Sequence, residues 1–199
     1  MDTQGLFFTQ KPPTGLVIAQ TVGITASLFL LGNNASLSLI AIPAAMQAPA
    51  SLAVKQWHTI FTRGLAMGPP LAIASALATG YVAYMQDPDS LPFKLNIAAT
   101  ILLPSIVPFT FAFIVPTNNK LMAKKDELGS ASLEDKSIEA NAAEGETVHE
   151  LMDRWATLNM ARAVLVGAGA LCSVLAALSK REVVGFKEVA IASGANRMG

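Results

Sequence analysis

Carboxylates are missing from every long apolar stretch of this 199-residue chain, and their absence excludes more than any single motif supplies. Nine of the fourteen Asp and Glu residues lie between Asp126 and Asp153. A proton pump built on membrane-embedded acids is thereby set aside, as is paired-carboxylate chemistry. Cysteine is nearly absent too. Cys172 stands alone, which excludes an intramolecular disulfide framework and a thiolate-rich metal site. It sits among Leu171, Val174 and Leu175, where a small buried hydrophobe is expected. The two histidines, His58 and His149, are too isolated to suggest a metal centre. Lys plus Arg equal Asp plus Glu at fourteen each, so there is no basic footprint and no nucleic-acid partner is expected.

What is present is apolar. Hydrophobic residues make up 52% of the chain and the mean hydropathy is +0.47, too high for an ordinary soluble domain. A span needs roughly 20 apolar residues to cross a ~30 Å hydrocarbon layer. Four segments meet this, at about 15–38, 65–85, 95–115 and 160–178. Thr14 is a plausible N-cap for the first, and Asp87-Pro-Asp-Ser90 is a turn signal ending the second. The first run is expected to be a retained span, since no charged region precedes a short apolar one. Residues 122–153, rich in Glu, Ala, Ser and Lys and without Phe, Trp or Tyr, read as a solvent-exposed, flexible or partly helical insert. The tail 185–199 looks similar. The expected fold is all-α: one integral membrane domain over 1–199, a four-helix transmembrane bundle with a long charged loop between helices 3 and 4. Six Lys and Arg on one side against eight on the other give no orientation.

Helical periodicity at about 100° per residue predicts which faces look inward. In the first span Gln20, Gly23, Ser27, Asn34 and Ser38 share one face. In the fourth, Trp155, Asn159, Arg162, Gly169 and Ser173 do so. His58, Thr62, Pro69, Ala76 and Gly80 align in the second, and Asn96, Thr100, Pro104 and Pro108 in the third. Small and amide residues on such faces serve helix packing in any membrane bundle. Arg162 and His58 ask for more, because an ionisable group near hydrocarbon is costly and usually faces a partner or a cavity. Prolines 69, 70, 104 and 108 free backbone carbonyls and splay helices, which leaves room for such a cavity. Gly167-Ala-Gly169 lacks the third glycine and the preceding strand of a dinucleotide fingerprint.

Three short motifs flank the polar insert and the second span. Trp57-His58 opens the second span, Pro116-Thr117-Asn118-x-x-Leu121 closes the third, and Trp155-x3-Asn159-x2-Arg162 opens the fourth. On these residues the chain resembles the DUF1772 family of four-span membrane proteins, and within it the anthrone oxygenases of fungal aromatic polyketide pathways. The resemblance implies oxidation of an anthrone to an anthraquinone by molecular oxygen, with no metal, flavin or other cofactor. It implies a lipophilic aromatic polyketide substrate, a bilayer, other pathway enzymes as possible partners, and residence in the endoplasmic reticulum or a derived vesicle. On that reading His58 is the base, or a water takes its place, and Arg162 stabilises the developing oxyanion. Asn118, Asn159 and Asn34 hold substrate oxygens, and Trp57 and Trp155 stack on the planar ligand or anchor at the interface. An up-down bundle brings these helix ends to one membrane level. The alternative is a non-catalytic tetraspan scaffold or lipophile-binding protein, in which the same residues only hold helices together.

Overall fold

The computed structural model describes residues 13–129 and 146–195, the side chains of 180–195 excepted. The centre of the polar insert, residues 130–145, therefore lies outside the described residues, as does the run ahead of Pro13. Among the described residues four long helices form the bundle: α1 (Thr14–Ala45), α2 (Ala50–Tyr84), α3 (Leu91–Glu127) and α4 (Val148–Ala195). Each contains a stretch long and apolar enough to cross a membrane, that of α4 lying within Val148–Ser179. The architecture is all-α, as expected, with no strand among the described residues.

The helices run well past the expected spans. Pro49 starts α2 at Ala50, so Lys55 to His58 are already helical. On α3, Ser90 caps the first turn by accepting from the Phe93 N–H at 3.3 Å. The helix continues through Asn118 and Lys120 to Glu127. Residues 122–127 and 148–153, read from sequence as part of the insert, thus belong to helix ends.

Prolines shape α1 and α3 in a matching way. A π-helical turn, Leu37–Ala41, ends two residues before Pro43, and another, Thr110–Ile114, ends two before Pro116. A proline has no N–H for the carbonyl four residues back, and its ring crowds that carbonyl. Widening the preceding turn relieves the crowding without ending the helix, which is how α1 runs past Ser38 to Ala45. A non-helical turn around Pro104 interrupts α3 a second time. Pro69 and Pro70, by contrast, are carried inside an unbroken α2.

α1 packs between α2 and α4, and α3 lies between the same two helices on the other side. Two glycines permit the closest approaches. A Cβ at Gly23 would lie 3.1 Å from Thr79 Cγ2, and one at Gly169 would lie 3.0 Å from Leu103 Cγ. Thr79 and Thr100 share a hydrogen bond of 3.0 Å between α2 and α3. Outward side chains such as Leu39, Leu77, Ile101 and Phe113 are exposed, the surface a bilayer would cover.

The buried faces of α1 and α4 match the expected stripes: Gly23, Ser27, Asn34 and Ser38 on one, Trp155, Asn159, Gly169 and Ser173 on the other. The stripe expected on α2 is corrected. Trp57, Gly68, Ala72, Ser75 and Thr79 form its buried face, about a quarter turn from the line of His58, Thr62 and Gly80. Thr62 is exposed and bonds the carbonyl of His58 on its own helix at 2.9 Å, so its hydroxyl needs no interior partner. On α3, Asn96 is buried but Pro108 is exposed, because the break at Pro104 resets the helical register.

Candidate functional site

Two apolar clusters divide the bundle along its axis. One gathers Trp57, Ile114, Leu121, Met152 and Trp155 with their neighbours. The other gathers Leu30, Ala72, Ala99, Leu103, Ile106 and Val166. Between them lies a cavity of about 400 Å³. From α1 it is lined by Asn34 and Leu37, and from α2 by Phe61, Gly64, Leu65, Gly68 and Pro69. The second π-turn supplies Thr110, Phe111 and Ile114, and α3 adds Asn118 beyond it. Trp155 and Arg162 close the α4 side. Both π-turns therefore border the hollow, Leu37 belonging to one and Thr110 to the other.

Arg162 is the charged member of this lining. Its Nη2 donates to Asn34 Oδ1 at 3.1 Å and also to Asn159 Oδ1, while Nη1 reaches Thr110 Oγ1 at 3.5 Å. Three helices thus grip one guanidinium through neutral oxygens. No carboxylate pairs with it among the described residues, and its buried Nε has no hydrogen-bond partner there. A largely buried cation without a counter-ion is costly, and an anionic ligand would offset that cost.

Asn159 is fully buried and acts as the rivet behind Arg162. Its Nδ2 donates to Asn34 O and to Ser38 Oγ, both at 2.8 Å. These bonds run to the part of α1 where the π-turn begins, so they fix that turn against α4. Asn34 in turn presents its Oδ1 to Arg162, while its buried Nδ2 has no partner among the described residues.

A second polar pair seals the near end. Trp155 Nε1 donates to Asn118 Oδ1 at 2.9 Å, tying α4 to α3. Trp155 meets Trp57 edge-on at 6.4 Å and 87°. Trp57 stacks on Phe61 at 5.2 Å and 7°, so Phe61, not Trp57, presents its ring to the cavity. Trp57 is fully buried behind it, with its own Nε1 unpaired among the described residues.

Of the residues expected from sequence, Arg162, Asn34, Asn118 and Trp155 converge on the cavity. Asn159 and Trp57 stand directly behind its wall. His58 is half-buried, one helical turn before Phe61, and does not line the hollow. His149 is occupied elsewhere, its Nε2 lying 3.1 Å from Ala48 O, where α4 meets the loop between α1 and α2. Thr110, Phe61, Gly64 and Gly68 were not expected. Only Phe61 left a trace, lying four residues from Trp57 and so on the same helical face.

Comparisons with known proteins find relatives along most of the chain. A family model described as anthrone oxygenase matches residues 57–172, which include Trp57, the α3 motif and Arg162. The chain is 30% identical over 190 residues to a protein named monooxygenase hypC of Dothistroma septosporum, covering 88% of this chain and 94% of that one. It is 27% identical over 176 residues to the anthrone oxygenase encC of Aspergillus fumigatus, covering 83% and 95%. A noranthrone monooxygenase of Aspergillus flavus is 29% identical over 171 residues, covering 84% and 76%. No solved structure matches. On the strength of the family match and of relatives similar along most of their length, the chain belongs to the anthrone oxygenase family.

Proposed function

We propose that this protein oxidises a polyketide anthrone to the corresponding anthraquinone with molecular oxygen, in the cavity between α1, α2, α3 and α4 and without a metal or flavin. The observation that carries the reading is Arg162: a guanidinium held by Asn34, Asn159 and Thr110, without a carboxylate, against an apolar hollow sized for one ligand.

The chemistry follows from the substrate. The anthrone methylene lies between two aryl rings, and enolisation carries charge to the ring carbonyl. Loss of one proton gives an anthrolate whose oxygen bears most of the negative charge. Arg162 stabilises that oxygen as a preorganised positive group stabilises any developing oxyanion. The anthrolate passes one electron to oxygen, and radical and superoxide combine into a C–O bond. Protonation gives a hydroperoxide. Its O–O bond then breaks as the second methylene hydrogen leaves, releasing water and forming the new carbonyl. One anthrone and one O₂ give one anthraquinone and one water.

Within this reading Asn118 and Trp155 form the polar edge that meets phenol or carbonyl oxygens, and Phe61 offers a ring for stacking. Asn34 and Asn159 position Arg162. The cavity lining holds no side chain that takes up a proton near neutrality. The first proton therefore leaves to His58, one turn away, or to water in the cavity. The compartment we propose is the endoplasmic reticulum or a vesicle derived from it, where lipophilic polyketides partition.

The test is oxygen uptake with quinone formation by purified protein in nanodiscs, given 1,8-dihydroxyanthrone and compared with heat-inactivated protein. Rates equal to the inactivated control would overturn the catalytic reading and leave a binding protein. A wild-type rate in His58→Ala would assign the proton to water.

A further inference from the structure

We infer that the ligand reaches the cavity sideways from the bilayer, through a portal between α2 and α3 whose posts are Leu65 and Phe111. The axial routes are closed. Toward one end the passage is blocked by Trp57, Leu121 and Trp155, and toward the other by Leu30, Ala72 and Leu103, all of them buried. Three of the four lateral seams are closed as well. Between α1 and α2, Leu37 fills the space over Gly64, its Cδ1 standing 3.3 Å from where a Cβ would be. Between α1 and α4, Asn159 is bonded to Asn34 and Ser38. Between α3 and α4, Arg162 reaches Thr110, and Leu103 packs onto Gly169.

The remaining seam is different. α2 packs on α3 near the Asp87–Ser90 turn and again near Leu121, but the middle of α3, residues 106–114, packs on α4 instead. The break at Pro104 and the π-turn before Pro116 draw that middle segment away from α2. At this level Leu65 is 55% exposed and Phe111 70% exposed, yet both line the cavity. A side chain that borders both the hollow and the outer apolar surface marks an opening between them. The opening faces lipid, since both helices are long and apolar enough to cross a membrane. Its occupant in transit is a flat, fused-ring aromatic with few polar groups, which partitions into hydrocarbon before it meets protein. This inference rests on the anthrone reading for the ligand's class, and on geometry for the route.

The test closes the portal after folding. Cys172 is the sole native cysteine, so Cys172→Ser gives a thiol-free background. In it, Leu65→Cys and Phe111→Cys are introduced singly and together, and a short disulfide-forming bifunctional reagent bridges the pair in nanodiscs. Association of 1,8-dihydroxyanthraquinone, a product analogue, is followed by quenching of tryptophan fluorescence, Trp155 being at the cavity wall. Bridging should slow association at least tenfold relative to the same doubly substituted protein before bridging, and reducing agent should restore it. Association at an unchanged rate in the bridged protein would overturn the portal. Because binding is read without turnover, a protein that binds through this gap but never oxidises anthrone would overturn the oxygenase reading alone. Failure of the unbridged protein to bind the quinone would overturn both.

Discussion

Arg162 Nη2 and Asn34 Oδ1, 3.1 Å apart, join α4 to α1 at the level where α1 widens into its π-turn. The bond orients the guanidinium without neutralising it, because an amide oxygen brings a dipole and no charge. A carboxylate in the same position would hold Arg162 more tightly and leave its charge spent. The site is therefore organised to keep one cation fixed and available.

Replacing Arg162 by Gln should lower kcat/KM for anthrone about 100- to 1,000-fold, the usual cost of removing one oxyanion-stabilising donor. Arg162→Lys should recover little, since a single ammonium cannot meet Asn34, Asn159 and Thr110 together. Steady-state oxygen uptake checks both. Near wild-type turnover in Arg162→Gln would remove Arg162 from the reaction.

Asn159→Asp separates positioning from charge. The side chain keeps its shape and one oxygen toward Arg162, but it loses the Nδ2 donor to Asn34 and Ser38 and adds a negative charge beside the guanidinium. The fold should survive, with thermal stability in detergent below wild type because that donor is lost, but above Asn159→Leu because the ion pair with Arg162 offsets part of the loss. Activity should fall at least tenfold, because the ion pair occupies the charge the substrate would use. Asn159→Leu should destabilise further, by roughly 1–3 kcal/mol, because Ser38 Oγ loses this donor and Arg162 loses one acceptor with no ion pair in return.

Much of this centre could be read from residue spacing. The stripe from Gly23 to Ser38 and the one from Trp155 to Ser173 are buried because polar and small residues recur there at helical period amid large apolar ones. On α2 the same logic failed. Threonine at 62 satisfies itself on its own helix, and the true interior face carries Gly68, Ala72 and Ser75, which look neutral in sequence. That rotation is why His58 stands beside the cavity wall and Phe61 within it. The widened turns before Pro43 and Pro116 were also hidden. A proline announces that a helix must adjust, but whether it kinks, breaks or adds a residue depends on what packs behind it.

Glu146, just ahead of α4, gives a pH dependence whose sign can be worked out. It accepts from Lys120 on α3 and from Arg154 on α4, the latter at 3.2 Å, and so clips the two helix ends together. The hydrogen bond from Lys120 is the first cause holding its carboxyl below the ordinary value of 4.5, Arg154 adding to it. A group whose pKa is depressed on folding contributes stability above its unfolded value and loses it as pH falls through the folded one. Wild-type protein should thus melt at a slightly higher temperature than Glu146→Gln at pH 7, and the two should converge as pH falls through the lowered folded value of Glu146. The difference should be small and should shrink in high salt, since these groups are solvent-exposed. A gap that persists at low pH would remove the ionic clip.

Gly68 sets how much ligand the cavity can hold. It is buried, yet a Cβ built there would meet no atom within 4 Å, because the space over it is the hollow itself. At Gly23 and Gly169 an added side chain strikes a neighbouring helix and should destabilise the bundle; at Gly68 it should only fill volume. Gly68→Val therefore should fold with little change in melting temperature while removing a substantial part of a ~400 Å³ cavity. Turnover of a three-ring anthrone should drop at least tenfold, mainly through KM, since bulk in the pocket opposes ground state and transition state alike. Gly68→Ala should fall between the two. Kinetics with anthrones of increasing substitution check the assignment, the penalty growing with ligand size. A Gly68→Val enzyme with unchanged KM for the largest substrate would mean that the ligand lies elsewhere.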